Sequence, residues 1–142
     1  MSVSKRVGFL KLLAFLLLIG PGFMMILGSK GPFMPAINAF LDFAHQPYDG
    51  LTRVSGEAGF LLNAILGGIL IGFGTMIWMV AEHVFRHDLA LGRKIILTAL
   101  LAWFITDSLG SILTGAWFNS VINLVILLSF LTPLFIGKEK TA

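Results

Sequence analysis

Four stretches of this chain stay apolar long enough to cross a bilayer, separated by one long segment and two shorter ones. A helix needs about 20 mostly apolar residues to span a ~30 Å hydrocarbon core, and residues 7–28, 56–81, 94–115 and 117–137 each meet that length. The first follows MSVSKR, the kind of charged start a secretory signal also has. Its apolar run is longer than a signal core and no A-x-A site follows, so the expectation is a transmembrane helix with Lys11 snorkelling to the interface. Gly20-Pro21-Gly22 is expected to kink that helix or end its regular part, because Pro21 lacks an amide hydrogen and its ring crowds the preceding turn.

Residues 33–46 follow a different pattern. Phe33, Met34, Ile37, Phe40, Leu41 and Ala44 recur at helical spacing, with Asn38, Asp42 and His45 on another face. Too short to span, with Pro35 in a first-turn position and Gln46-Pro47 as a stop, this segment predicts an interfacial helix on the membrane surface or a loop helix over the mouth of the bundle. Tyr48-Asp49-Gly50 then reads as a turn. The third and fourth spans are separated so briefly that they must be antiparallel neighbours. The fold expected is therefore all-α, one domain over residues 1–142, with four transmembrane helices and a short interfacial helix between the first and second.

Composition places the chain in a membrane: 57% of it is hydrophobic and 12% charged, against roughly 25% charged in an average soluble domain. The net charge of +3 does not indicate a nucleic-acid partner, since the basic residues fall in short clusters beside apolar runs and form no extended patch interleaved with aromatics. With no cysteine, disulfides, thiolate metal sites, iron–sulfur clusters and cysteine nucleophiles are excluded. Lys5, Arg6, Lys11, Arg86, Arg93, Lys94, Lys138 and Lys140 fall on one side of the spans, and Lys30 and Arg53 on the other. The positive-inside bias then predicts that both termini are cytoplasmic, in a multi-pass protein of the cytoplasmic membrane. Trp78 and Trp117 near helix ends fit the interfacial aromatic pattern.

Two packing or binding features stand out within the spans. On the second, Ala64, Gly68 and Gly72 form a small-xxx-small ridge flanked by Gly67 and Gly74, and small residues let helix backbones approach closely in lipid. On the third, Asp107 places a carboxylate inside WFITDSLGSILTG, a costly residue at that depth that normally faces the bundle interior or water. Counting about 1.5 Å per residue, Asp107, Asn123 and Asn63 lie at similar depths. Asn63, Asp107, Ser111, Asn119 and Asn123 are therefore expected to converge, roofed by an Arg53–Glu57 pair at i,i+4. Such a cluster either locks helix order through hydrogen bonds or forms a binding or proton-handling site.

His83 and His87, also at i,i+4, are weak candidates for a divalent metal with a neighbouring carboxylate. Solvated or headgroup-facing histidines are the plainer reading, and no metal site and no cofactor is expected. His45 falls on the opposite side, which argues against a three-histidine centre or a haem held by facing histidines. No phosphate loop, dinucleotide fingerprint or catalytic triad is recognisable, so an enzyme is the third reading.

From Arg53-x-x-Gly56 onward, the Gly67-Gly68 and Gly72-Phe73-Gly74 runs, the Gly92-Arg93 turn and the closing Asp107, Gly110, Asn119 and Asn123 resemble small four-helix bacterial membrane proteins of uncharacterised function, distantly similar to the DoxX-like group. The Thr106-Asp107-Ser108 segment departs from that pattern. The resemblance implies a four-helix fold in a bacterial cytoplasmic membrane and no particular activity. The first functional expectation is an accessory or scaffolding subunit that packs against other membrane subunits or itself through small-residue helix faces, with membrane lipid around it. The alternative is a binder or conductor of a small solute, lipid, quinone or proton at the polar cluster.

Overall fold

The computed structural model describes residues 1–137, which form five helices and, among those residues, no strand. They are α1 (Val3–Gly28), α2 (Met34–His45), α3 (Gly56–Phe85), α4 (Leu89–Leu113) and α5 (Trp117–Phe135). All but α2 are long and apolar enough to cross a membrane. Both ends of the described chain lie at one end of the bundle, the terminal end. The α1–α3 connection and the α4–α5 turn lie at the other, the distal end.

The Gly20-Pro21-Gly22 segment does not end α1. The helix widens into a π turn over Phe15–Ile19, in which the Gly20 amide reaches back to the Phe15 carbonyl, and Pro21 then opens the following α-helical stretch. A wider turn accommodates a residue that has no amide to donate and a ring that crowds the turn before it. α3 continues past the expected boundary at Ala81, through a second π turn over Ala81–Phe85. α4 starts at Leu89, earlier than expected, because the Asp88 carboxylate accepts the Leu91 amide at 2.9 Å and caps the helix.

α1 and α3 pack as an antiparallel pair through glycines. A Cβ on Gly67 would stand 2.6 Å from the Gly22 carbonyl oxygen, and one on Gly74 would stand 2.7 Å from Ile19 and 2.9 Å from Leu18. The ridge expected to pack, Ala64, Gly68 and Gly72, points away: among the described residues nothing lies within 4 Å of a Cβ at Gly68 or Gly72. The buried stripe is Asn63, Gly67, Gly74, Ile77 and Ala81, rotated from the expected one. Bulk decides the rotation, since Leu18 and Ile19 fill the groove beside Gly74, Met25 and Ile26 the one beside Gly67, and Ile71 the one beside Gly22.

The core common to the four long helices sits toward the terminal end, built from residues such as Val7, Leu10, Leu18, Ile77, Phe85, Ile96, Leu100, Phe130 and Leu134. It is closed below by two arginines. Arg6, 1% exposed, donates from Nε to the Pro133 carbonyl at 2.7 Å and from Nη2 to the Leu134 carbonyl at 2.6 Å, with its guanidinium over the Phe85 ring. Arg93 donates to the Leu134 carbonyl at 3.0 Å and stacks on Phe135. The last carbonyls of a helix lack partners within it and carry partial negative charge, so two cations there satisfy both needs. Lys138 and Lys140, counted in the charge bias, lie outside the described residues.

Candidate functional site

The polar cluster is built by the α4–α5 hairpin. Gly115, at φ +84°, takes the left-handed conformation that ends α4. The Ala116 amide bonds the Ser111 carbonyl and the Gly115 amide bonds the Ile112 carbonyl, a Schellman stop. This tight reversal sets two i,i+4 pairs face to face, Asp107 and Ser111 on α4 against Asn119 and Asn123 on α5. Asn123 Nδ2 donates to Asp107 Oδ2 at 2.6 Å, and Asn119 Nδ2 donates to the same oxygen at 3.1 Å and to Ser111 Oγ at 2.9 Å. Ser108, which the sequence does not single out, joins through its hydroxyl at 3.3 Å from Asn123 Nδ2.

The other carboxylate oxygen, Asp107 Oδ1, has no hydrogen-bond partner among the described residues, and Asp107 is exposed. Its position on the helix makes that exposure informative. Ile96, Leu100, Trp103 and Asp107 form one stripe of α4 (i, i+4, i+7, i+11), and the first two are 1% and 0% exposed. On α3, Leu62, Leu66 and Ile69 precede Phe73 at helical spacing, and Leu62 and Leu66 also border a groove beside Met25 and Leu41. Phe73 meets Trp103 with ring centroids 6.4 Å apart, whereas Leu62, Leu66 and Ile69 are all more than half exposed. The seam between α3 and α4 therefore closes at Phe73–Trp103 and opens beyond it, with Asp107 one turn inside the opening.

The structure does not bring all the expected residues together. Asn63 is buried in the other helix pair, where its Nδ2 donates to the Met25 carbonyl at 2.7 Å and to Ser29 Oγ at 3.1 Å. Depth was the basis for grouping it with Asp107, but depth leaves rotation about the helix axis undetermined. Asn63 rides the Gly67 stripe toward α1.

Arg53 and Glu57 form no ion pair among the described residues. Because α3 starts at Gly56, Arg53 lies in the preceding connection, so helical i,i+4 spacing does not apply to it; its guanidinium donates to the Gly50 carbonyl at 2.6 Å. Arg53 and Asn63 instead line a groove of about 290 Å³, together with Met25, Leu41, Leu62 and Leu66.

The roof is held by α2. Asp42 accepts the Gly50 amide at 2.8 Å on one oxygen and the Thr52 amide at 3.2 Å on the other, and Asn38 accepts the Val54 amide at 2.9 Å. The polar face of α2 thus grips the connection that carries Arg53. The Gly50 amide, chiefly, with Thr52, Asp49 and Leu51 adding to it, holds the Asp42 carboxyl below its ordinary value against the opposing effect of desolvation. On another side, α2 reaches the α4–α5 hairpin through an edge-to-face contact of Phe43 with Phe118 at 4.7 Å.

His83 and His87 do not share a helix face. The π turn over Ala81–Phe85 holds His83, the helix ends at Phe85, and His87 lies in the turn that follows. No group of three potential metal ligands is assembled among the described residues. Glu82 instead bonds Lys11 Nζ at 3.0 Å and Arg86 at 2.6 Å. The side-chain clamps of Asp42 and Asn38 and the capping role of Arg6 and Arg93 escaped the sequence reading. Asn38 and Asp42 at i,i+4 before a turn were their one local signal. Compared with protein-family models, with curated proteins and with solved structures, the chain matches none.

Proposed function

We propose that this chain is a multi-pass protein of the cytoplasmic membrane that binds a small amphipathic molecule, or a proton, at Asp107 through the open α3–α4 seam. One observation carries this reading: Asp107, an exposed residue on a stripe that begins with the buried Ile96 and Leu100, has one carboxylate oxygen fixed by two asparagine amides and the other without a hydrogen-bond partner among the described residues. A carboxylate serving solely to lock helices would be expected to turn both oxygens inward, since an unpaired polar group in lipid is costly. The free acceptor suits a hydrogen-bond donor such as a protonated amine, a quinol or lipid hydroxyl, or a proton itself.

The same reading puts the terminal end in the cytoplasm, where Lys5, Arg6, Lys11, Arg86, Arg93 and Lys94 gather against Lys30 and Arg53 at the distal end. α2 then lies at the outer surface. Cysteines introduced at positions 45 and 87 of a chain that has none should label from opposite sides; labelling from one side would refute this orientation.

The site is tested with dicyclohexylcarbodiimide, an apolar reagent that adds to carboxyl groups from within the membrane. Peptide mapping should find Asp107 modified well ahead of the clamped Asp42. Small molecules that co-purify with the wild type in mild detergent should be missing from a folded Asp107→Asn variant. An unreactive Asp107, or identical co-purifying molecules, would remove the reading.

A second reading, an accessory subunit, is favoured by the outward Gly68–Gly72 face, against which no described residue packs. It predicts that Gly68→Leu breaks association with a partner while Asp107→Asn has no effect in cells.

A further inference from the structure

A second surface, at the opposite end of the bundle, has the makings of a lipid site. Gly8, Lys11, Leu12 and Phe15 share one face of α1 (i, i+3, i+4, i+7), and with Trp78 of α3 they line an open groove of about 350 Å³. Among the described residues nothing lies within 4 Å of where a Gly8 side chain would begin, and Leu12 and Phe15 are half exposed along the groove wall.

One end of the groove is charged. Lys11 Nζ lies 4.6 Å from the centre of the Trp78 ring and 3.0 Å from Glu82 Oε2, while Arg86 holds Glu82 Oε1 at 2.6 Å. Two cations share one carboxylate, which leaves one net positive charge. The Lys11 and Arg86 side chains stay 27% and 38% exposed. An indole beneath an ammonium, at the border between an apolar groove and a basic rim, is the order of chemistry that a phospholipid presents in complement: acyl chain, glycerol backbone, then phosphate.

We infer that this groove binds one anionic phospholipid, with an acyl chain along Leu12 and Phe15, the glycerol backbone over Gly8 and the phosphate on the sides of Lys11 and Arg86 turned away from Glu82. The uncompensated charge selects for anionic over zwitterionic lipid, because a choline or ethanolamine headgroup brings its own cation toward Lys11 and Arg86. The groove involves neither Asp107 nor the open seam.

Trp78 is the probe. In a Trp103→Phe, Trp117→Phe background, the full chain is placed in phosphatidylcholine vesicles carrying brominated phosphatidylglycerol or brominated phosphatidylcholine at the same mole fraction, and bromine quenching of Trp78 is read. An anionic site predicts about fivefold preference for the brominated phosphatidylglycerol, the factor expected from one net basic charge. The preference should vanish in K11Q/E82Q/R86Q, which removes the charges without leaving one unpaired. It should also fall in Gly8→Leu, which fills the groove at an open position and leaves every charge in place, so the test stands even if the triple variant misfolds. Equal quenching by the two lipids, a preference that survives both variants, or one abolished by inorganic phosphate in the buffer would overturn the assignment.

Discussion

Along a single stripe of α4, Ile96 and Leu100 are sealed while Asp107, two turns farther on, is exposed. The terminal half of the bundle is closed by all four long helices and capped by Arg6 and Arg93 on the end of α5. The distal half is two helix pairs, α1 with α3 and α4 with α5, and α2 touches both. In the terminal half apolar bulk does the joining. In the distal half glycine contacts and amide-to-carboxylate bonds hold each pair together and leave the seam between α3 and α4 uncovered. A helical bundle can thus close a core at one end and leave a polar group uncovered at the other.

The largest expected effect sharpens the contrast within α3. Gly67→Leu forces bulk against the Gly22 backbone, where even a Cβ would lie 2.6 Å from the carbonyl oxygen. Overpacking of this kind costs ~1–3 kcal/mol or more, whereas Gly68→Leu, which meets open space, should change the stability of the single chain by less than about 0.5 kcal/mol. Denaturant titration in detergent measures both, and equal losses would mean that the packing face has been assigned wrongly.

Next comes the cap. Arg6→Gln should cost ~1–3 kcal/mol, the range for leaving buried carbonyls short of a donor. Hydrogen exchange should then rise at the end of α5 and stay unchanged at the distal hairpin. Opening at both ends would show that the halves are not separable.

The smallest effect concerns pH. Asp42 has its folded-state carboxyl held below the ordinary 3.8, so its contribution is fully present above that value and is lost as pH falls through the lower folded value. The amide resonances of Gly50 and Thr52 should therefore hold steady from pH 8 to about 5 and move only below roughly 4. Asp42→Asn should abolish that transition. Movement near neutral pH in the wild type would mean that another group holds the connection.

The sequence makes the coarse architecture legible and half of the site. Long apolar runs predict the four helices, and the tight turn at Gly115 predicts which two must face each other, so Asp107, Ser111, Asn119 and Asn123 can be placed together from spacing alone. Depth alone groups Asn63 with them, and it sits elsewhere because the rotation of α3 depends on which glycines meet α1, and Gly67 and Gly68 are adjacent in sequence. Arg53 and Glu57 do not pair as their spacing suggests, because the helix starts at Gly56, three residues after Arg53. Arg6 looked like one more charge in a topological count, since nothing local announces a contact with residues more than 120 positions away.

The openness of the seam is measured most directly by short bifunctional thiol reagents on cysteine pairs, in a chain with no cysteine of its own. Phe73→Cys with Trp103→Cys should cross-link readily, and Leu66→Cys with Gly110→Cys, seven residues farther along each helix, should cross-link far less. Equal cross-linking of the two pairs would contradict an open distal half and with it the exposure of Asp107.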